Sequence, residues 1–267
     1  MTTPVLWPYQ SPADHEAISA MVRQRSTNTA DVREVALAGL DLAAARRVLD
    51  LGCGFGFLAE ALAPRLPATT RVLGVDVWAS NREPFLSRLA CRHRTGAFEC
   101  LEVQRQVPWP RRSFDLVTCS YSLYFFPDII PEVARVLSPE GIFLVITHSE
   151  HSFRGLFHAA GLDAEGSRLR ALLGHFSAEN GEQKLAAWFE DVRRVDYKNE
   201  LRFERAHLDE LLAYVRFKVP LLFPGARADG PVPPAQAEHV RATLSRRGTV
   251  IIEKDDAIFH CRRPRCP

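Results

Sequence analysis

The chain has 267 residues, 46% of them hydrophobic and 25% charged, which is ordinary globular composition and excludes a fibre or a disordered tail. Thirty-four basic residues against 32 acidic ones leave a net charge of +2, too small an excess for a protein that depends on many phosphate contacts. The six cysteines form no CxxC pair, no apolar run approaches the length of a membrane-spanning helix, and MTTPVLWPYQ lacks the pattern of a secretory signal. A reduced, cytoplasmic protein without membrane or nucleic-acid partners is expected.

In chain order, residues 1–30 open with a Pro-rich aromatic stretch containing Trp7 and Tyr9. A helix follows to about Arg25, with Ile18, Met21 and Val22 at helical spacing. A second helix is predicted to start at Asp31, with Glu34 completing a capping box. Five short apolar strands then alternate with helices. They are Val48–Leu51, Arg71–Val77, Phe98–Val103, Phe114–Ser120 and Ile142–Thr147, the last preceded by a turn at Ser138-Pro139-Glu140-Gly141. Apolar runs in this alternation predict parallel βαβ units in a doubly wound sheet. Residues 151–192 read as helical, with their own small core from Phe153, Phe157, Phe176, Trp188 and Phe189. Val192–Phe203 reads as a sixth strand, Leu208–Phe217 as a helix, Pro220–Pro234 as a loop and Ala235–Arg246 as a helix. Thr249–Cys261 reads as a final strand, broken at Lys254-Asp255-Asp256.

The chemistry concentrates where the first strand ends. Asp50 is followed by Gly52-Cys53-Gly54-Phe55-Gly56 and then by helical sequence. Gly52 permits a tight turn, Gly54 lets a ligand approach the backbone, and Gly56 lets the helix start close to the sheet. A dinucleotide loop, G-x-G-x-x-G, would need a glycine where Phe57 stands. A carboxylate at position 50 suits a ligand with a cationic amino or sulfonium group better than a diphosphate. Asp76, ending the second strand 20 residues after Gly56, is placed to accept hydrogen bonds from ribose hydroxyls.

These motifs, VLDLGCGFG (48–56), VLGVD (72–76), VPWPRRSFDLVTCSYSLYFFPD (107–128) and VARVLSPEGIFLVI (133–146), resemble the class I S-adenosylmethionine-dependent methyltransferases over about 100 residues. The resemblance implies a Rossmann-like α/β fold. Its seven-stranded sheet would be mostly parallel with an antiparallel last strand, under a helical lid from the N-terminal segment and an insert after strand five. Within one domain of residues 1–267, residues 1–30 would be a lid, 31–150 the cofactor core, 151–248 the insert with strand six, and 249–267 the last strand and tail. The implied cofactor is S-adenosylmethionine, leaving as S-adenosylhomocysteine. Asp50, Gly52, Cys53, Gly54 and Gly56 would hold its methionine part, Asp76 the ribose and Val77 the adenine, and Ser120 and Tyr121 would lie beside the sulfonium. The acid that many relatives carry after strand three is replaced by Val103, flanked by Glu102 and Gln104.

Methyl transfer from a sulfonium needs alignment and dryness more than a nucleophile or a metal, and no metal motif is present. If the acceptor must lose a proton, His148 at the end of strand five is the leading base, with Tyr124 and Tyr121 placing the substrate. His151 forms an HxxH pair with it, and Arg25 is a candidate for an anionic group. A small-molecule acceptor is expected, with the protein a monomer or homodimer. The alternatives are an RNA or protein methyltransferase, an inactive cofactor-binding protein of the same fold, and a nicotinamide-dependent oxidoreductase. An N/D-P-P-Y loop of a base-flipping enzyme is replaced by Cys119-Ser120-Tyr121-Ser122.

Overall fold

A computed structural model describes residues 8–92, 94–222 and 231–265. Trp7, Cys266 and most of the stretch from Pro220 to Pro234 therefore lie outside the described residues. In chain order the elements are α1 (Pro12–Arg25), α2 (Val32–Leu37), β1 (Arg47–Leu51), α3 (Phe57–Leu62), β2 (Arg71–Asp76), α4 (Arg82–Ala90), β3 (Thr95–Cys100), β4 (Phe114–Ser120), α5 (Ile130–Val136) and β5 (Leu137–His148). There follow α6 (Arg154–Ala159), α7 (Arg168–His175), α8 (Gly181–Ala186), β6 (Phe189–Tyr197), β7 (Glu200–Glu204), α9 (Leu208–Leu222), α10 (Pro234–Arg247), β8 (Thr249–Glu253) and β9 (Asp256–Pro264).

The seven-stranded sheet has the order β3-β2-β1-β4-β5-β9-β6. β1 to β5 pair in parallel, and β9 inserts antiparallel between β5 and β6. Each central strand is a nearly continuous buried run, because helices cover both faces. The reversal of strand order between β1 and β4 opens a crevice at the carboxyl ends of these strands, where Asp50, Asp76 and Ser120 lie. Glycine also serves the packing here. A Cβ at Gly74 would stand 2.5 Å from the Phe85 ring of α4, so only glycine lets α4 lie that close to β2.

Several boundaries differ from the sequence reading. β3 begins at Thr95, because it pairs with β2 from Arg71↔Thr95 to Asp76↔Cys100, and Leu101 to Val103 leave the sheet toward the crevice. Ser138 to Gly141 belong to β5, where a register shift between Phe114 and Leu116 absorbs them as a bulge. Asp31 caps α2 by accepting from the Arg33 backbone N–H at 2.9 Å, but Glu34 pairs with Arg65 instead of closing a capping box. α9 runs through Pro220 to Leu222, since Val219, Leu221 and Leu222 are buried and outweigh the missing proline N–H.

The largest difference lies in the second half. The single sixth strand divides at Lys198-Asn199 into β6 and β7, and the last strand divides at Lys254-Asp255 into β8 and β9. β6 and β9 stay in the main sheet, whereas β7 and β8 form a separate antiparallel pair. The two sheets meet at this double break, tied by Lys198 Nζ to Asp255 Oδ2 at 2.7 Å. α9 and α10 are inserted between β7 and β8. The aromatics read as a separate lid core belong to the main one: Phe189 packs on Phe143 at 5.8 Å and Phe176 on Phe259 at 6.2 Å.

The segment after α1 is stitched to the second sheet. Ser26 bridges Leu201, Thr27 donates its N–H to Glu200 at 2.8 Å, and Asn28 N–H donates to Asn199 Oδ1 at 3.1 Å. α1 is thereby fixed across the mouth of the crevice. Among the described residues no helix is long and apolar enough to cross a membrane.

Candidate active site

The crevice is a cavity of about 760 Å³, in the size range of small-molecule sites. One end is the loop after β1. Gly52, Gly54 and Gly56 all have positive φ (+66°, +51° and +91°), a region that other residues enter only under strain. A Cβ at Gly52 would strike Ser122 at 2.6 Å, whereas one at Gly54 would meet nothing nearer than His15 at 3.7 Å and would stand in the cavity. Gly52, Cys53 and Gly54 line the cavity. Gly56 does not, and it sits behind the loop against Phe85 as the residue preceding α3.

Asp50 is buried beneath this loop and accepts a hydrogen bond from Thr118 Oγ1 at 2.7 Å. Burial, with the charge of Asp76 adding to it, pushes its carboxyl up to about 7. Asp76 accepts from the backbone N–H groups of Trp78 and Gly54, both at 2.9 Å, and from Asn81 Nδ2 at 3.1 Å. Burial still holds its carboxyl above the usual range, despite these hydrogen bonds. A carboxylate held by three donors is fixed in orientation and keeps lone pairs for a ligand. Val77, Val103 and Ser120 also line the cavity, and Ser120 Oγ is buried with no hydrogen-bond partner among the described residues. After β3 the wall is made by Leu101, Glu102 and Val103. Gln104 is exposed and takes no part in it.

The other end is built around Asp256. β5 and β9 pair with His148 directly opposite Asp256, and β6 places Tyr197 opposite Asp256 on the other side. His148 Nδ1 lies 2.6 Å from Asp256 Oδ1. Tyr121 donates its hydroxyl to Asp256 Oδ2 at 2.7 Å, and Lys254 donates to the same oxygen at 2.9 Å. The Tyr121 ring stacks on His148 at 4.7 Å, and Tyr124 stacks on it at 6.1 Å. Tyr121 and Phe153, which both touch His148, have positive φ of 55° and 71°. Strain of this kind persists where the surroundings over-determine a conformation. Burial and then the Lys254 charge push His148 down to about 4, although Asp256 acts the other way. Burial alone would raise Asp256, but Lys254 and His148 more than offset it and hold the carboxyl below its usual range.

The structure thus brings His148, Tyr121 and Tyr124 to one wall of the cavity that the glycine loop closes. It sends other candidates elsewhere. His151 turns to Arg154, with Nδ1 2.7 Å from Nη2. Arg25 is committed to Glu210 at 2.7 Å and lies 2.7 Å from His207 Nε2. Asp256, Lys254 and Lys218 were missed by the sequence reading. Tyr9 lines the cavity, in contact with Phe125 and Phe217.

Comparison with known proteins agrees with this geometry. Residues 49–145 match the family model described as a methyltransferase domain. A stretch of 114 residues is 35% identical to the uncharacterized methyltransferase YcgJ of Bacillus subtilis, covering 39% of this chain and 42% of that protein. A stretch of 121 residues is 32% identical to the ubiquinone biosynthesis O-methyltransferase of Neisseria meningitidis, covering 43% of this chain and 50% of that one. The chain thus spans half or less of these two relatives' length. The solved structure of YcgJ superposes with a TM-score of 0.51 at 20% identity, covering 93% of this chain and 99% of that chain, a likeness of fold. Residues 49–145 are therefore a methyltransferase domain. The seven-stranded, mostly parallel sheet with its antiparallel β9 is the Rossmann-like fold of these methyltransferase structures.

Proposed function

We propose that the protein is an S-adenosylmethionine-dependent methyltransferase acting on a small-molecule acceptor in the cytoplasm, with no nucleic-acid or membrane partner. The observation that carries this reading is that one cavity joins the Asp50–Gly54–Asp76 cradle to the buried His148–Asp256 pair. The cradle fits the cofactor. Among the described residues, Asp50 is a buried carboxyl whose ionised form lacks a cation and Ser120 Oγ is a buried polar atom without a partner, and Gly54 leaves the space that a Cβ would fill. When bound there, S-adenosylmethionine supplies a methyl group activated by the sulfonium charge.

The chain's own residues do the rest. Asp50 binds the amino group, Asp76 and Val77 hold the nucleoside, and Ser120 and Tyr121 border the reacting end. α1, α7 and α9 cover the cavity through residues such as Ile18, Leu172 and Phe217 and keep water out. His148 accepts the acceptor's proton. Its Nδ1 is fixed by Asp256, so Nε2, which has no hydrogen-bond partner among the described residues, is the basic nitrogen. Asp256 orients the ring and stabilises the imidazolium, while Lys254 and Tyr121 hold Asp256 in place.

The test is turnover: release of S-adenosylhomocysteine from S-adenosylmethionine with a panel of small hydroxylated, amino and carboxylic acceptors. Acceptor-dependent release is expected, and its loss in His148→Gln with cofactor affinity retained would assign the base. Release driven by RNA or a protein extract, but by no small molecule, would overturn the acceptor class.

A further inference from the structure

Tyr214, Phe217 and Lys218 stand at helical i, i+3, i+4 spacing on α9 and line the cavity together. Lys218 is only 8% exposed. Among the described residues its ammonium makes no hydrogen bond or ion pair. Its neighbours are rings, with the Phe153, Phe217 and Tyr214 centroids at 5.1, 5.6 and 5.9 Å from Nζ. Aromatic faces attract a cation, but far less strongly than the water that a buried ammonium gives up.

Lys254 shows the contrast. It is equally buried in the same cavity, but it shares Asp256 with His148 and Tyr121. Asp256 is thereby engaged by three groups, and Lys218 has no hydrogen-bonded or ion-paired anion among the described residues. Two further buried polar atoms of the same cavity, Tyr214 Oη and His15 Nδ1, also have no hydrogen-bond partner among the described residues. Burial raises the Tyr214 hydroxyl, so it remains a donor. Burial, followed by Lys218 itself, lowers His15 to about 3 and keeps its ring neutral.

We propose that the methyl acceptor carries a carboxylate and that Lys218, with the hydroxyl of Tyr214 one helical turn away on α9, seats that group. This rests on the reading of the cavity as a methyl-transfer site. One ammonium and one hydroxyl between aromatic walls complement a planar monoanion. They offer too few donors and too little charge for a phosphate dianion. Burial and the Lys254 charge lower Lys218 to about 7, so the cation is disfavoured until an anion joins it.

The experiment titrates ¹³C-labelled acetate, followed by NMR, into the wild-type protein, Lys218→Met and Tyr214→Phe, with acetamide and inorganic phosphate in parallel. Acetate fits any carboxylate site of this volume. Saturable acetate binding is expected in the wild type, weakened about tenfold or more in Lys218→Met and about threefold to tenfold in Tyr214→Phe, as expected for lost hydrogen bonds to a charged group. Acetamide and phosphate should not saturate. The proposal is overturned if the wild type shows no saturable acetate binding, if the two variants bind acetate as the wild type does, or if phosphate binds more tightly than acetate. Should Lys218→Met fail to fold, Tyr214→Phe decides. A separate calorimetric titration with S-adenosylhomocysteine divides the two claims. Acetate binding without cofactor binding removes the methyl-transfer reading alone, and cofactor binding without acetate binding removes the carboxylate alone.

Discussion

Asp50 carries a cost that only a cationic ligand relieves. Its carboxyl is raised from 3.8 to about 7 in the folded protein, chiefly by burial. The fold therefore favours the protonated form. The stability linked to Asp50 is complete below about pH 4 and is lost as the pH rises through about 7. Asp50→Asn imitates the protonated acid, so thermal melts should show it more stable than the wild type at pH 8, by ~2–4 kcal/mol on the scale of the shift, and little different at pH 4. The same change should weaken S-adenosylhomocysteine binding. Calorimetry should find that wild-type affinity rises between pH 6 and pH 8 and that the variant's does not. For His148 the sign is reversed. With the ring lowered to about 4, it is neutral and able to accept a proton throughout the neutral range. The acid limb of kcat should fall near pH 4 instead of near the ordinary value of about 6.5. His148→Gln should lower kcat by about 10²- to 10⁴-fold, read from initial rates.

At the scale of elements, the proposed cofactor half of the site was legible as a cluster because it is local. Asp50 lies near the end of β1, Gly54 on the turn that follows, and Asp76 ends the next strand, so chain order alone places them together. The proposed catalytic half is different. His148 and Asp256 are 108 residues apart and meet through the antiparallel register of β5 and β9, which no local pattern specifies. One signal was present. Lys254-Asp255-Asp256 puts charges into an otherwise apolar strand, and a charged break at a buried position marks either a sheet crossing or a site. Here it marks both. Lys218 was hidden for a similar reason, because a lone lysine on an amphipathic helix reads as solvated until the packing of α9 is known. The glycine loop gives the element-level prediction. Gly54→Val combines a β-branched residue at φ +51° with a side chain that enters the cavity. It should abolish S-adenosylhomocysteine binding in calorimetry while leaving the sheet intact by circular dichroism, and unchanged affinity would remove the loop from the account.

Across the whole molecule, the site is closed by parts distant in sequence. α1 is anchored to β7 through Ser26 to Asn28 and to α9 through Arg25 and Glu210. The Arg25–Glu210 pair is partly exposed, so Arg25→Ala should cost only about 0.5–1 kcal/mol in denaturant unfolding. Its larger effect is expected on amide exchange in α1 and on KM, because that contact holds the cover over the cavity. The chemistry of the whole cavity depends on which ligand enters beneath α1. The most direct measurement is calorimetric titration of the purified chain with S-adenosylmethionine and, in parallel, NAD. A single saturable site for S-adenosylmethionine and no binding of NAD are predicted. Binding of NAD, or of neither compound, would contradict the account.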